Sequence, residues 1–205
     1  LNFETGEMNL AAQNPGNVSG WVTDHDGKIR IATTTDGVNT GIMYRESEAD
    51  DFKTVLSTNF KESLSPLFFT FDNKHVYAAT NLGRDKSAIV KYDIASAKEM
   101  EVIFEHPDVD VSNLSFSKKR KVLTGVSYTT WKRQRSFLDD EMRVIFCKLE
   151  KELGKYEIVI TDTNDNEDIF MVRTYSDRSL GAYYIYSKLN DSLNKISDIS
   201  PWINE

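Results

Sequence analysis

The sequence EIVITDTNDNEDIFMVRTYSDRSLGAYYIY, residues 157–186, contains three runs of β-branched and aromatic residues separated by two polar segments. The first two runs, 157–162 and 168–172, flank a polar turn, and such a pair predicts a β-hairpin. A third run covers 182–186, and a shorter one at 193–196 follows another polar turn. This part of the chain therefore predicts four antiparallel strands connected by short turns.

The same pattern occurs three more times toward the N-terminus. The hairpins of these units lie in residues 20–31, 67–77 and 114–123. In the first two units a further strand pair follows, at 42–45 with 53–56 and at 89–93 with 101–104. The turns of the four hairpins are predicted to open at Asp24, Asp72, Ser117 and Asp162, which are 48, 45 and 45 residues apart.

A repeat of about 40–50 residues with several strands per unit is typical of a β-propeller. We therefore predict an all-β fold, a partial β-propeller of about four four-stranded antiparallel blades. The blades are expected at roughly 1–60, 61–108, 109–155 and 156–202 of one propeller domain that spans residues 1–205.

The third unit departs from the strand pattern after Tyr128. Five apolar residues there are spaced as on one face of a helix, which predicts a helix inserted near 139–153; they are Met142, Ile145, Phe146, Leu149 and Leu153. Asp139 or Asp140 is expected to cap its start, and Gly154 to end it in a left-handed conformation. Cys147 falls just beside the apolar stripe.

Composition limits the possible functions. The chain has 205 residues, 40 % of them hydrophobic, which is enough for a core, and its net charge of −7 argues against a nucleic-acid or anionic-membrane partner. The single cysteine, Cys147, excludes an internal disulfide, and we interpret it as a small buried hydrophobic residue rather than a nucleophile. No apolar run approaches the roughly 20 residues of a membrane span.

The first residues give no targeting information. The chain opens with Leu1, and residues 1–10 have neither a basic start nor an apolar signal region. We interpret the sequence as a piece of a larger soluble protein, cytoplasmic or periplasmic, whose compartment the sequence does not reveal.

Candidate catalytic residues are sparse. A serine-hydrolase elbow requires Gly-x-Ser-x-Gly, and the nearest string, Gly16-Asn17-Val18-Ser19-Gly20, has the wrong spacing. The three histidines, His25, His75 and His106, lie in three separate segments. We therefore predict no catalytic residue in this chain.

Metal and ligand candidates are also better explained by turns and packing. Asp162, Asn164, Asn166 and Asp168 have the spacing of a calcium loop, but Glu167 replaces its glycine and Arg173 its final glutamate. Asp24-His25-Asp26-Gly27 is interpreted as a turn. We predict no metal, no cofactor and no cofactor-binding residue.

Two basic runs and one aromatic strand remain. The runs 118–121 and 132–135 are interpreted as solvated turns, with an anion or an acidic partner as the alternative. Tyr183, Tyr184 and Tyr186 alternate across a strand, which favours packing between blades over a ligand platform.

The last unit resembles a known family. The string 168–186, in which an apolar strand runs into Ser-Asp, a turn with Gly181 and a Tyr-Tyr-x-Tyr strand, is similar to the final propeller blade of acylaminoacyl-peptidase-like members of the prolyl oligopeptidase family. The preceding helix and Pro201-Trp202 match this pattern, whereas Ser179-Leu180 stands where relatives commonly carry a proline before the glycine.

The resemblance implies a propeller that caps an α/β-hydrolase domain and admits short peptides. The catalytic Ser, Asp and His belong to that hydrolase domain, which is absent here and would follow Glu205. The implied partners are this domain of the same parent chain and short peptide substrates. Because the family carries about seven blades, four would form the second half of the ring and leave an unpaired blade edge, open to self-association, on the Leu1 side.

Two other functions fit the same pattern. One is a free-standing, TolB-like interaction propeller that binds a protein at its mouth. The other is an enzyme with carboxylates in the propeller channel, as in glycosidase propellers. Asp24, Asp72 and Asp162 recur with the repeat, but an aspartate in a turn needs no catalytic explanation.

Overall fold

In the computed structural model, which describes residues 2–203, the polar turns divide the chain into short strands that pair with their sequence neighbours. Sheet 1 contains β1 (Val18–Thr23), β2 (Ile29–Thr35), β3 (Thr40–Tyr44) and β4 (Lys53–Thr58). Sheet 2 contains β5 (Leu64–Phe69), β6 (Val76–Thr80), β7 (Ala88–Asp93) and β8 (Lys98–Phe104). Sheet 3 contains β9 (Val111–Ser117), β10 (Val122–Thr129) and β11 (Arg133–Phe137). After α1 (Asp140–Leu153), sheet 4 contains β12 (Glu157–Thr163), β13 (Ile169–Tyr175), β14 (Ala182–Ser187) and β15 (Ser192–Asp198).

The prediction of an all-β fold built from antiparallel, blade-like sheets with one helix, as in a partial β-propeller, is confirmed. The expected four strands are present in sheets 1, 2 and 4, but sheet 3 has three strands. In chain order, α1 stands where the other units have their fourth strand. The strand β11 has the sequence RQRSF, so its low apolar content gave no strand signal.

The first turn of each sheet opens at a slightly different residue than predicted. Backbone hydrogen bonds close the turns from Gly27 N to Asp24 O, from Asn73 N to Thr70 O and from Glu167 N to Asn164 O, while Arg120 N donates to Ser117 Oγ. The openings at Asp24, Thr70, Ser117 and Asn164 are thus 46, 47 and 47 residues apart. Asp72 lies inside its turn, and Asp162 lies in β12, which a bulge extends to Thr163.

The chain divides into two compact units at Asn113 and Leu114. In the first unit, sheets 1 and 2 share one core, which consists of Ile31, Ile42, Tyr44, Leu64, Phe69, Val76, Ala78, Ala88, Val90, Tyr92 and Ile94. Burying a large apolar side chain of this kind stabilises a fold by about 1.5–3 kcal/mol. This shared core is what holds the two sheets against each other.

In the second unit, α1 packs against one face of sheet 4. The buried residues of this core are Ile145, Phe146, Leu149 and Leu153 of the helix and Ile158, Phe170, Val172 and Tyr186 of the sheet. All the helical members belong to the stripe that the sequence predicted. The helix stripe is therefore explained by packing on β-strands.

The two ends of α1 test the capping predictions made from the sequence. Asp139 is the N-cap, and its carboxylate accepts a hydrogen bond of 2.9 Å from Met142 N. Gly154 has φ −59° and ψ −8°, so the prediction of a left-handed C-cap is wrong. A Cβ at Gly154 would lie 2.3 Å from Glu150 O, so a close backbone approach explains the glycine.

No helix in the described part of the chain is both long and apolar enough to cross a lipid bilayer.

Candidate functional site

Each unit contains one cluster of charged and polar side chains at the first turns of its sheets. The Arg30 cluster, in the first unit, comprises Asp24, His25, Asp26, Arg30, Tyr44, Glu46 and Asn73. The Arg120 cluster, in the second, comprises Ser117, Lys119, Arg120, Asp139, Glu141, Glu167 and Lys188. In both clusters, the recurring turns of two neighbouring sheets bring these residues together.

Arg30 is a buried cation at the start of β2, with 6 % of its surface exposed. Its Nη1 donates to Asn73 O at 2.7 Å, and its Nη2 donates to the Tyr44 hydroxyl at 2.5 Å. The guanidinium carbon lies 5.0 Å from the centre of the Phe69 ring. Since arginine stays charged in proteins, these contacts must replace the water that burial removes.

Two carboxylates compensate the charge of Arg30. Asp24 Oδ2 lies 3.8 Å from Nη1, and both side chains are 7 % exposed. Glu46 Oε1 lies 3.3 Å from Nη2, but the Glu46 side chain is 77 % exposed, so solvent weakens this pair. Burial, followed by the hydrogen bond that the hydroxyl donates to Glu46, raises the pKa of Tyr44 to about 12. Tyr44 is therefore a neutral bridge between Arg30 and Glu46.

Asn73 connects sheet 2 to sheet 1. It adopts a positive φ of 57°, a conformation that asparagine tolerates better than most residues. Its Oδ1 accepts from His25 N at 3.0 Å, and its Nδ2 donates to Asp26 Oδ2 at 2.9 Å. His25 Nε2 lies 2.9 Å from Phe69 O, which can only accept, so Nε2 carries a proton. This tautomer serves a structural contact between the sheets.

The Arg120 cluster is centred on an arginine in the turn between β9 and β10. Its two terminal nitrogens donate to the two Asp139 carboxylate oxygens at 2.7 and 2.8 Å. Arg120 Nε lies 3.5 Å from Glu141 Oε2 and 3.9 Å from Glu167 Oε2. The Arg120 hydrogen bonds hold the pKa of Asp139 below its ordinary value, and Asp139 in turn raises the pKa of Arg120. The pair fixes the start of α1 to the turn of sheet 3.

Glu167 connects sheet 4 to sheet 3. It has a positive φ of 51° and occupies the fourth position of its turn, as Asn73 does. The Ser117 hydroxyl donates to its carboxylate, and Lys119 N donates to Oε1 at 3.0 Å. Lys119 Nζ adds a hydrogen bond of 2.9 Å to Asn166 O. The hydrogen bonds and ion pairs of both clusters thus join neighbouring sheets.

The residues considered as catalytic candidates do not meet at either cluster as a reactive set. Ser19 lies on β1, where its Oγ is 3.1 Å from Thr33 Oγ1 and 3.3 Å from Thr33 O. His106 Nδ1 accepts from Asp108 N at 3.1 Å. His75 Nδ1 is buried and has no hydrogen-bond partner among the described residues. That the chain contributes no catalytic residue stays a prediction.

The stretch with calcium-loop spacing forms a closed hairpin tip. Asn164 Oδ1 accepts from the backbone of Asp168 at 3.1 Å and of Ile169 at 3.0 Å, and Asn164 Nδ2 donates to Asp168 Oδ1 at 2.8 Å. Asn164 Oδ1 and Asp168 Oδ1 thus accept hydrogen bonds from within the turn itself. Among residues 2–203, the structure groups no three His, Cys, Asp or Glu side chains in a way that could hold a metal ion.

The two basic runs contribute structural contacts. Lys119 and Arg120 belong to the Arg120 cluster. Arg135, on β11, lies over the Phe146 ring at 4.6 Å and donates to Ile158 O of sheet 4, and burial lowers its pKa.

Tyr186 is buried in the second core, and Tyr184 packs against it. Cys147 is exposed, so the interpretation of it as a buried residue is wrong.

Comparisons with known proteins add a distant relative. No family model matches the chain. It is 22 % identical to dipeptidyl aminopeptidase BIII of Pseudoxanthomonas mexicana over 209 aligned positions, which cover 98 % of this chain and 29 % of the relative.

Two solved structures are also similar. One is the uncharacterized protein lmo1340 of Listeria monocytogenes EGD-e, with 13 % identity, a TM-score of 0.29, and coverage of 90 % of this chain and 40 % of the other. The other comes from a study of two prolyl endopeptidases, with 15 % identity, a TM-score of 0.45, and coverage of 89 % and 29 %. Both TM-scores are too low to support a conclusion. The chain is thus distantly similar in sequence to a peptidase of which it spans less than a third.

Proposed function

We propose that this chain is a non-catalytic, substrate-gating propeller segment of a serine peptidase of the prolyl oligopeptidase type. The observation that carries the proposal is the similarity to a dipeptidyl aminopeptidase along 98 % of the chain. The blade-like sheets support it, since the segment has the architecture that such a gate requires. The α/β-hydrolase domain would follow Glu205 and supply the Ser, Asp and His of the reaction.

In this proposal the segment acts by exclusion. A wall of sheets beside the peptidase active site admits short peptides and excludes larger polypeptides, as long as its sheets do not separate. The Arg30 and Arg120 clusters each join two neighbouring sheets by several hydrogen bonds. The residues of this chain therefore contribute rigidity and size selection, while the bond cleavage occurs in the hydrolase domain.

The first test is the reading frame beyond Glu205 and the activity of the full-length protein. We expect a Gly-x-Ser-x-Gly string followed by Asp and His in that order. The 205-residue chain alone should not hydrolyse dipeptidyl chromogenic substrates. A frame without such an elbow, or hydrolysis by the 205-residue chain that Ser19→Ala abolishes, contradicts the proposal. Further sheets without an elbow would favour an interaction propeller.

The gating role has its own test in the full-length enzyme. Asn73→Gly keeps the positive φ but removes the side-chain bonds to His25 and Asp26. We expect faster cleavage of an unfolded protein substrate such as casein, with little change for a dipeptidyl substrate. The matched control is Asn190→Gly, at an exposed turn of sheet 4. Equal effects of the two variants on the casein rate would contradict a gate held closed by the Arg30 cluster.

A further inference from the structure

Sheet 3 differs from the rest of the chain in its charge. Residues 111–138, which form this sheet, contain seven of the chain's 25 basic residues and none of its 32 acidic residues. The seven are Lys118, Lys119, Arg120, Lys121, Lys132, Arg133 and Arg135. Within residues 2–203, Arg120 is the one member of this set that forms an ion pair. A group of like charges without internal counter-charges attracts a ligand of the opposite sign.

One end of this sheet carries an exposed aromatic residue beside the cations. Residues 129–135, called the basic hairpin below, include the turn between β10 and β11 and the first half of β11. Trp131 is 85 % exposed at the tip, and Lys132 Nζ lies 4.9 Å from the centre of its ring. Arg133 follows, and its Nη2 donates to Ser127 Oγ at 3.2 Å. Tryptophan and arginine are among the residue types that most often carry the binding energy of an interface.

The edge of β11 offers backbone groups to a further strand. β11 is an outermost strand, because the order of sheet 3 is β11-β10-β9. Leu138 N donates to Thr124 O across this pair of strands, so the even-numbered residues of β11 bond to β10. The N–H and C=O groups of Arg133 and Arg135 therefore point away from β10. Among residues 2–203, no backbone hydrogen bond reaches these outward groups.

The other three sheets also end in an outermost strand, but those strands differ from β11 in charge. β8 carries Glu99 and Glu101, and β15 carries Asp198. β4 has a single cation, Lys53, which follows Asp51 by two residues. β11 contains two arginines and no carboxylate. An acidic strand would thus be attracted to the edge of β11, whereas β8 and β15 would place like charges against it.

We propose that the basic hairpin binds an extended acidic segment of another polypeptide. The segment adds to the edge of β11 through its backbone, places its carboxylates near Lys132 and Arg133, and lays an apolar side chain on Trp131. The proposal concerns the surface of this chain alone and does not rest on the peptidase function. It goes beyond that function because it assigns the chain a binding partner.

A second copy of this chain is a weaker candidate for the occupant. Its acidic loop, residues 46–51, has the right charge, but the carboxylates of that loop are already engaged within sheet 1. Glu46 pairs with Arg30, Glu48 pairs with Lys28, and Asp50 accepts two hydrogen bonds from the start of the loop. Two copies would also bring together two chains of net charge −7. A partner of different sequence is therefore favoured.

Fluorescence anisotropy with a defined peptide tests the binding. The probe is the N-acetylated, C-terminally fluorescein-labelled peptide TEVEVET, and the control TQVQVQT has the same length without the charge. With the full-length protein and with the 205-residue chain, the acidic peptide should bind at least about tenfold more tightly than the control. Equal affinities of the two peptides, or no binding of TEVEVET, overturn the proposal.

Two charge-matched double variants locate the site. Lys132→Gln with Arg133→Gln removes two charges from the basic hairpin and should weaken the binding of TEVEVET at least about fivefold. Lys118→Gln with Lys121→Gln removes two charges from the exposed turn at the opposite end of sheet 3 and should change the affinity less than about twofold. Circular dichroism verifies that the variants fold, and Trp131→Ala, at an exposed position, should weaken binding without touching the core. Equal effects of the two double variants would mean that the peptide does not bind at the hairpin.

Amide hydrogen exchange, resolved by NMR, tests the strand pairing. Saturating TEVEVET should slow the exchange of Arg133 N–H and Arg135 N–H at least about tenfold, and should leave Gln134 N–H, which faces β10, unchanged. Binding without this protection would reject the addition of a strand.

Two further results would reject the proposed partner. A dimer in sedimentation that TEVEVET disperses would identify a second copy as the occupant. A single-stranded DNA of the same charge that binds as tightly as TEVEVET would make the hairpin a general polyanion site.

Discussion

The Arg30 and Arg120 clusters join neighbouring sheets at the same point of the repeat, but with different chemistry. Asn73 and Glu167 both occupy the fourth position of their turns with φ near 50–60°. Asn73 uses an amide, which accepts from His25 N and donates to Asp26. Glu167 uses a carboxylate, which only accepts, and it receives bonds from Ser117 and Lys119.

The difference follows from what the preceding turn offers. The turn of sheet 1 presents one donor and one acceptor, and an amide satisfies both. The turn of sheet 3 presents a hydroxyl and a backbone N–H, both donors, so a carboxylate fits. The repeat thus conserves the position and geometry of the link while its residue types change. Burial differs as well, because the Arg30 side chain is 7 % exposed and that of Arg120 is 28 % exposed.

The largest expected effect is on the buried cluster. Arg30→Met removes the partner of Tyr44 and Asn73 O and leaves the Asp24 carboxylate buried without its cation. Breaking a buried pair in this way is expected to lower the free energy of unfolding of the first unit by about 3 kcal/mol. Amide hydrogen exchange of sheets 1 and 2 measures the loss without assuming that both units unfold together.

Arg143→Met is the matched control for this substitution. Arg143 lies on α1, and its side chain is 54 % exposed and paired with Asp140 three residues earlier. Its loss should change stability by less than about 0.5 kcal/mol. If Arg30→Met and Arg143→Met lower the free energy of unfolding by similar amounts, the buried Arg30 contributes no more than an exposed arginine. Burial would then not distinguish the Arg30 cluster from the Arg120 cluster.

The Arg120 cluster should respond to pH. Asp139→Asn keeps a residue able to cap α1 but removes the charge that binds Arg120, so we expect a loss of about 1 kcal/mol for this partly exposed pair. Because the folded-state pKa of Asp139 is lowered, its contribution is present above the ordinary carboxyl pKa and is lost as the pH falls through the folded value.

Urea unfolding of α1, followed by circular dichroism at several pH values, checks this prediction. The difference between the unchanged chain and Asp139→Asn should be full at pH 7 and should shrink as the pH falls below about 3.8, the ordinary pKa of an aspartate. A difference that does not vary with pH would mean that the capping hydrogen bond, and not the charge, stabilises this region.

The sequence was sufficient for the elements that follow a regular period. Alternating apolar residues predicted the strands of sheet 4, and the spacing from Met142 to Leu153 predicted α1. It was insufficient for β11, whose residues Arg133–Phe137 are mostly polar and half-buried. There the strand is held by pairing with β10, which depends on the turn at Thr130 and not on a hydrophobic pattern.

The clusters could not be predicted because their members are far apart in the chain. Arg30 bonds to a residue 43 positions away, and Ser117 to one 50 positions away. Their hairpins were predicted separately, but which turn residues meet depends on how one sheet packs beside the next. One local signal was available, since Arg30 interrupts the apolar run from Ile29 to Ala32 and a charge inside such a run requires a partner.

The smallest expected effect isolates the charge of the second link. Glu167→Gln can keep an oxygen that accepts from Lys119 N and place its NH2 where it donates to the Ser117 hydroxyl, but it removes the negative charge that lies 3.9 Å from Arg120 Nε. Because this ion pair is long and Arg120 retains Asp139, we expect the free energy of unfolding to fall by about 0.5 kcal/mol. It should also depend less on salt concentration than in the unchanged chain. Urea unfolding at low and high ionic strength measures both. If the loss reaches that of Asp139→Asn, Glu167 acts through its charge, and the carboxylate is then more than a geometric counterpart of the Asn73 amide.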